Sequence, residues 1–198
     1  ETMADTDTPD EIEDTYKVGE KVSMDKLLNQ DADDESLRKY KESLGLSANV
    51  YAPKDDPRRV VILEFRAISE GRPGGDIVYD FSEKGSETKM KDKPFTLKEK
   101  GQYKLQVTFR VQHELCAGLK YLCVVSRMGA KVDTTKEMIG SYAPQEKPYV
   151  VTFPRQGWED VPSGMLARGD YKAKASFTDD DGVKHLEYEY SFSIKKDW

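Results

Sequence analysis

From Val60 onward the chain is organised by a period of two. Tyr103, Leu105, Val107, Phe109 and Val111 alternate with Lys104, Gln106, Thr108 and Arg110. Tyr171, Ala173, Ala175 and Phe177 alternate with Lys172, Lys174 and Ser176, and Leu186, Tyr188, Tyr190, Phe192 and Ile194 with Glu187, Glu189, Ser191 and Ser193. Successive side chains of a strand point to opposite faces, so each run predicts a strand with one core face. Residues 60–68 and 119–128 are more continuously apolar strand candidates, and 76–81, 132–142 and 149–153 are three more. Turn signals separate them: Arg72-Pro73-Gly74-Gly75, a polar loop over 85–93, and Asp179-Asp180-Asp181-Gly182, which predicts a hairpin. Arg168-Gly169-Asp170-Tyr171 opens a strand in the manner of a tyrosine corner. Seven or more strands with no helical pattern between them predict an all-β fold, an immunoglobulin-like antiparallel β-sandwich over residues 56–198.

The first 55 residues follow a different rule. Val22–Leu28 reads as a short helix capped by Ser23, with Val22 and Leu27 placed as a hydrophobic staple. "DDESLRKYKESLG" reads as a second helix. Asp33 or Asp34 caps it, Glu35 and Lys39 form a favourable i, i+4 pair, and Gly45 stops it. Leu37, Tyr40 and Leu44 make one apolar stripe. A helix this short is marginal alone in water, so its stripe needs a surface, either the sandwich or a partner protein. Ala52–Arg59, with Pro53 and Pro57, reads as a linker.

Charge separates the same two regions. Residues 1–49 carry 14 acids and 6 bases, whereas the rest carries 23 acids and 25 bases, so the acidity of a chain with net charge -6 lies in its first quarter. The first sixteen residues hold seven acids and no base. Such a segment repels itself and has little apolar surface to bury, which predicts a flexible acidic arm over 1–55. That charge argues against a nucleic-acid partner and permits a basic one. Cys116 and Cys123 lack metal-like spacing and read as free, half-buried thiols of a reducing compartment. No apolar run reaches the roughly 18 residues of a membrane span, and no signal peptide opens the chain, so the expected compartment is the cytoplasm.

Chemistry is sparse. The glycines of "GRPGG" are not followed by the Lys-Ser/Thr of a phosphate-binding loop. His113 and His185 lie on strands or their ends with no motif placing either beside a nucleophile. In "FTDDDG", aligning Gly182 with the glycine of a calcium loop puts Phe177 and Tyr188 where carboxylates are needed. No catalytic set, cofactor or metal is predicted, and the chain reads as a binding protein. Ala173 and Ala175 share a face with Tyr188, Tyr190 and Phe192. Small residues beside large ones fill a core by complementarity or leave a slot between two sheets, and the pattern leaves both readings open.

"DADDESLRKYKESLG", followed at a distance by "MIGSYAP", "GMLARGDY", "FTDDDGVKHL" and a terminal "SIKKDW", resembles the Rho GDP-dissociation inhibitors from about Tyr16 to Trp198. The resemblance implies a protein that binds GDP-loaded, geranylgeranylated Rho-family GTPases. It would slow nucleotide exchange through its two arm helices and draw the GTPase off the membrane by holding the lipid between the sheets. Carried over by position, Asp34 would accept a hydrogen bond from a switch threonine. Ser23, Asp33, Leu37, Tyr40 and Leu44 would complete the arm's GTPase-binding face, and Asp181 would meet the GTPase from the sandwich. Phe95, Tyr103, Leu115, Tyr188 and Tyr190 would line the prenyl pocket. The expected form is a monomer that pairs with one GTPase and has no stable membrane insertion. This chain departs from relatives that carry tryptophan at the positions of Tyr188 and Tyr190, and in a longer segment between Asp76 and Phe95. Asp133, Glu146, Glu159 and Asp160 are candidates, by charge alone, to meet a basic GTPase tail. A prenyl- or acyl-binding sandwich without nucleotide-state control is the alternative that shares the slot, and a solid-core interaction module is the one without it.

Overall fold

The alternating runs become strands in the computed structural model, which describes residues 34–36, 51–83 and 85–198. The strands are β1 (Val60–Ser69), β2 (Ile77–Asp80), β3 (Phe95–Lys98), β4 (Gln102–Val111), β5 (Cys116–Arg127), β6 (Ala130–Tyr142), β7 (Tyr149–Phe153), β8 (Glu159–Asp160), β9 (Gly169–Thr178) and β10 (Lys184–Lys195). One sheet runs β2-β1-β4-β7, with β8 also on β4, and the other runs β3-β10-β9-β5-β6. Every pair is antiparallel except β3 with β10. The two sheets pack face to face as a sandwich, as the alternation predicts.

Two irregularities keep the inward faces in phase. A register shift between Ile62 and Glu64 lets β1 bury Val60 and Ile62 before it and Phe65 and Ala67 after it. One extra residue thus moves the core face from even to odd positions. The start of β5 is shifted likewise between Cys116 and Leu119. Here Gly118 has φ 58°, and a Cβ on it would lie 1.9 Å from Asp180 Oδ2. Asp180 belongs to the β9–β10 turn, its N–H donates to Ala117 O at 3.0 Å, and its carboxylate meets Lys120 Nζ at 2.8 Å. Glycine is therefore required twice at this position, for its backbone and for the space it leaves.

The expected turns hold. Asp179 Oδ1 accepts from the N–H groups of Asp181 and Val183, both at 3.0 Å, and Gly182 N donates to Asp179 O at 3.0 Å. The Tyr171 hydroxyl donates to Ala167 O at 2.6 Å, closing the tyrosine corner. Three expectations change. The polar loop over 85–93 contains a 3₁₀ helix, Ser86–Asp92, entered through Gly85 at φ 87° and anchored by Met90, which is only 2% exposed. β3 and β8 have four and two residues, too few for periodicity to mark them. Cys116 and Cys123 are free, as expected, but buried rather than half-buried, since both fall on the inward face of β5.

Of the expected helices, the described residues contain only Glu35 and Ser36. Asp34 caps them, its Oδ1 accepting from Ser36 N at 2.9 Å. The helix placed at Val22–Leu28, Ser23 and Asp33, and the stripe of Leu37, Tyr40 and Leu44 lie outside the described residues. Among the described residues no helix is long and apolar enough to cross a membrane.

Gly118→Ala tests the close approach of the β9–β10 turn. Strain at positive φ plus displacement of Asp180 should cost about 2 kcal/mol or more, read as a lowered urea midpoint. An unchanged midpoint would show that the turn moves freely.

Candidate functional site

The inward face of the β9–β10 hairpin pairs small residues with large ones. Ala175 lies opposite Tyr188, Ala173 opposite Tyr190, and Tyr171 opposite Phe192. The rings of Phe95, Tyr190 and Phe192 stack in sequence, with centroids 5.8 Å apart for Phe95–Tyr190 and 5.7 Å for Phe95–Phe192. Phe65, from the other sheet, reaches Tyr121 at 5.5 Å and Tyr188 at 5.7 Å. A cavity of about 60 Å³ remains between the sheets.

Phe65, Tyr79, Tyr103, Tyr121, Val125 and Phe192 are among its lining residues, and Asp133 and Thr135 of β6 stand at its polar rim. Of the residues expected here from sequence, Phe95, Tyr103 and Tyr190 line the cavity. Tyr188 lies one step deeper, packed on Phe65 and Phe81. Leu115 does not line it. Leu115 sits in the β4–β5 loop, whereas Tyr103 is at the start of β4, so the length of β4 separates them, about 25 Å at strand rise. β5 contributes Tyr121, Cys123 and Val125 instead. Sequence reasoning missed these because the phase of β5 depends on the bulge at Gly118.

The deep wall has a polar side. The Tyr190 hydroxyl meets Cys123 Sγ at 3.6 Å. Among the described residues the hydroxyls of Tyr121 and Tyr188 are buried with no partner in good hydrogen-bond geometry, although Tyr121 faces the Cys123 thiol and Tyr188 faces the Tyr121 hydroxyl. Burial pushes all three phenols well above their usual range and raises the Cys123 thiol, so all four groups stay neutral at physiological pH. An unpaired buried hydroxyl costs about 1–3 kcal/mol, which marks this wall as unfinished rather than optimised for a solid core.

A groove beside the cavity brings Tyr103, Asp133, Glu159 and Asp160 together. Three of the four acids chosen by charge therefore share the cavity's mouth. Glu146 is in the β6–β7 loop beyond the C-terminal end of β4, at the opposite end of the sandwich.

Asp181 is also at that opposite end. Its Oδ2 accepts from Arg59 Nη1 at 2.6 Å, and the same guanidinium bonds Asp179 and Glu114. Asp179 Oδ2 also takes His185 Nε2 at 2.6 Å. This network ties the start of β1 to the β9–β10 turn and the β4–β5 loop. The donor atoms of Cys116, Asp179 and His185 lie within 4.8 Å of one another. The set does not suit a metal ion: Arg59 already neutralises Asp179, and burial pushes the Cys116 thiol up to about 12. Burial outweighs Asp179 and lowers the His185 pKa, so the native imidazole is neutral.

Comparison with known proteins fits this geometry. The family model described as RHO protein GDP dissociation inhibitor matches residues 1–197. A Dictyostelium discoideum protein described as a putative rho GDP-dissociation inhibitor 1 is 54% identical over 183 residues, spanning 92% of this chain and 91% of its own. The Rho GDP-dissociation inhibitor of Schizosaccharomyces pombe is 41% identical over 204 residues, spanning 100% and 97%. Human Rho GDP-dissociation inhibitor 1 is 39% identical over 189 residues, spanning 96% and 89%. The chain belongs to the Rho GDP-dissociation inhibitor family, whose members are regulators and not enzymes.

Removing the Tyr188 hydroxyl should not harm the fold. Tyr188→Phe is expected to leave stability unchanged or raise it by about 1 kcal/mol, measured by urea denaturation; a loss larger than that would mean the hydroxyl has a partner.

His185 predicts a pH dependence. Its folded pKa is below the ordinary 6.5, so the unfolded chain takes up the proton first. Stability from this site is complete above about 6.5 and is lost as pH falls from there toward the folded value. The urea midpoint should drop across that window, and less so in His185→Gln.

Proposed function

We propose that residues 56–198 bind the geranylgeranyl group of a Rho-family GTPase between the sheets, while residues 1–55 act as an acidic regulatory arm on the GTPase. The observation that carries this reading is an inter-sheet cavity with aromatic walls and an acidic rim. Ligand pockets typically hold about 300–1,000 Å³, so a cavity of about 60 Å³ is a closed form that widens to admit a twenty-carbon chain. The edge built from β2, the 3₁₀ helix and β3 is the wall with the fewest ladder bonds to lose, since both strands have four residues. Tyr79 and Phe95 face the cavity from it.

Full burial of such a chain is worth on the order of 10 kcal/mol, at about 0.8 kcal/mol per CH₂. A bilayer offers about the same, and each Lys or Arg of a juxtamembrane tail adds about 1 kcal/mol to membrane attachment. Lipid burial alone cannot decide the competition. Asp133, Glu159 and Asp160 at the mouth offset the tail's attraction to the membrane, and the arm's contacts with the GTPase body supply the rest. Folding the arm on its partner costs several kcal/mol of gross contact energy, which keeps the complex reversible. The partner is GDP-bound, Asp34 meets its switch region, and the one-to-one complex resides in the cytoplasm.

The test is extraction. Liposomes carrying a geranylgeranylated, GDP-loaded Rho-type GTPase are mixed with the protein and spun. The GTPase should move to the supernatant only when prenylated, and much less with Asp34→Ala or without residues 1–55. Extraction that ignores the arm would leave a prenyl-binding sandwich without nucleotide-state control. A GTPase that stays on the liposomes defeats the reading.

A further inference from the structure

The cavity wall on β5 ends in a hydroxyl that its surroundings satisfy poorly. Tyr121 is fully buried, and its ring is clamped by Phe65 at 5.5 Å and by Phe153 and Phe177, both at 5.2 Å. A ring held by three others in a close-packed interior keeps one orientation, so its hydroxyl does not swing to a distant carbonyl. Where it stands, it faces the Cys123 thiol and the hydroxyls of Tyr188 and Tyr190, none in good hydrogen-bond geometry among the described residues. Sulfur is a weak acceptor, and the Tyr190 hydroxyl already meets it at 3.6 Å. Tyr79 lines the cavity from the facing sheet and differs, because its hydroxyl reaches the Lys93 carbonyl at 3.5 Å.

Tyr121, Cys123 and Val125 share one face of β5, and all three line the cavity. Val125 is paired with Asp133 at the rim, and Tyr121 lies four residues further in, about 13 Å at strand rise. A lipid chain entering at the rim passes Val125 and Cys123 before it reaches Tyr121. The part of the chain that meets the hydroxyl is therefore its interior, not the end that joins it to a protein. What a hydrocarbon offers to an unpaired O–H depends on its saturation. Methylene groups accept nothing, so a saturated chain leaves the hydroxyl buried and unpaired, at a standing cost. A carbon–carbon double bond carries π electrons that accept weakly from a polar hydrogen.

We propose that the Tyr121 hydroxyl makes the cavity selective for unsaturated, isoprenoid chains over saturated acyl or alkyl chains, by donating to a double bond in the interior part of the chain. The selectivity rests on the prenyl-binding reading for its ligand and adds the feature of that ligand which is recognised and the residue that recognises it. The apolar walls alone do not make this distinction, because chains of equal carbon number and branching bury nearly equal area. A buried polar group that one ligand pairs and another leaves unpaired does make it. Tyr188 does not line the cavity, so its hydroxyl stays behind that of Tyr121 and out of the chain's reach.

The experiment uses the full chain and two soluble ligands, S-geranylgeranyl cysteine and its fully hydrogenated counterpart. The second keeps every carbon and methyl branch and lacks only the double bonds. Each Kd is measured for the native protein and for Tyr121→Phe, and comparing the ratios cancels the difference in hydrophobicity between the ligands. The preference for the unsaturated chain should fall about two- to fivefold in Tyr121→Phe, the size of one weak hydrogen bond. The loss should come from the unsaturated ligand, while the hydrogenated one binds as before or better and the urea midpoint holds or rises. The same preference in native protein and variant overturns the proposal, as does a shift carried by the hydrogenated ligand. A second comparison uses the native protein alone. Hydrogenating only the inner double bonds should weaken binding more than hydrogenating only the one nearest the cysteine, and the reverse order overturns the proposal. A native protein that binds neither ligand removes the prenyl-binding reading and the selectivity with it. One that binds both without regard to the hydroxyl leaves that reading standing and removes the selectivity alone.

Discussion

Phe65 is the contact on which the rest of the sandwich depends. It is 2% exposed and crosses from β1 to meet rings from three strands of the facing sheet: Tyr121 on β5, Phe177 on β9 and Tyr188 on β10. It faces inward only because the irregularity between Ile62 and Glu64 changes the phase of β1. Between the rings of β10 and those of β5, β9 alternates scales, with Ala173 and Ala175 opposite Tyr190 and Tyr188 and the larger Tyr171 and Phe177 at its ends. Near the mouth the interior is not filled, and a cavity walled by Phe65, Tyr79, Phe95, Tyr103, Tyr121 and Tyr190 remains. The Tyr121 hydroxyl, buried on the cavity wall without a partner in good geometry among the described residues, marks where the packing is incomplete.

The two ends of the sandwich are built differently. At the Asp179 end, Arg59 gathers three carboxylates from the β4–β5 loop and the β9–β10 turn, and His185 and Gly118 complete a dense polar knot. That knot locks the hairpin whose aromatics wall the cavity. At the mouth end the ties run through Glu99 and Arg127 to backbone groups of the 161–168 loop. They hold the loop's shape and leave its apolar side chains outward. The far end is thus held by paired side-chain charges, and the near end by side-chain bonds to backbone groups.

Alternation along β4, β9 and β10 determined the sandwich, because strand geometry sends every second side chain to one face whatever the partner strand is. The hairpin at Asp179–Gly182 and the tyrosine corner were legible for a related reason: their hydrogen bonds close within a few residues. Of the acids picked by sign, Asp133, Glu159 and Asp160 fall in one groove and Glu146 does not. The motif strings placed the chain in its family, and with it the function, before any coordinates. What the tertiary structure alone decided is everything set by distant pairs. Leu115 is apolar and precedes β5, yet the length of β4 keeps it from the cavity. Tyr121 and Cys123 follow a bulge whose Gly118 packs against Asp180, more than fifty residues away. Met128 looks unremarkable as a residue between two strands. Only the structure shows its left-handed backbone and full exposure, since these depend on the register of β5 with β6. Local chemistry is written in adjacent residues, but the depth of a cavity and the company of a loop tip are properties of the packed chain.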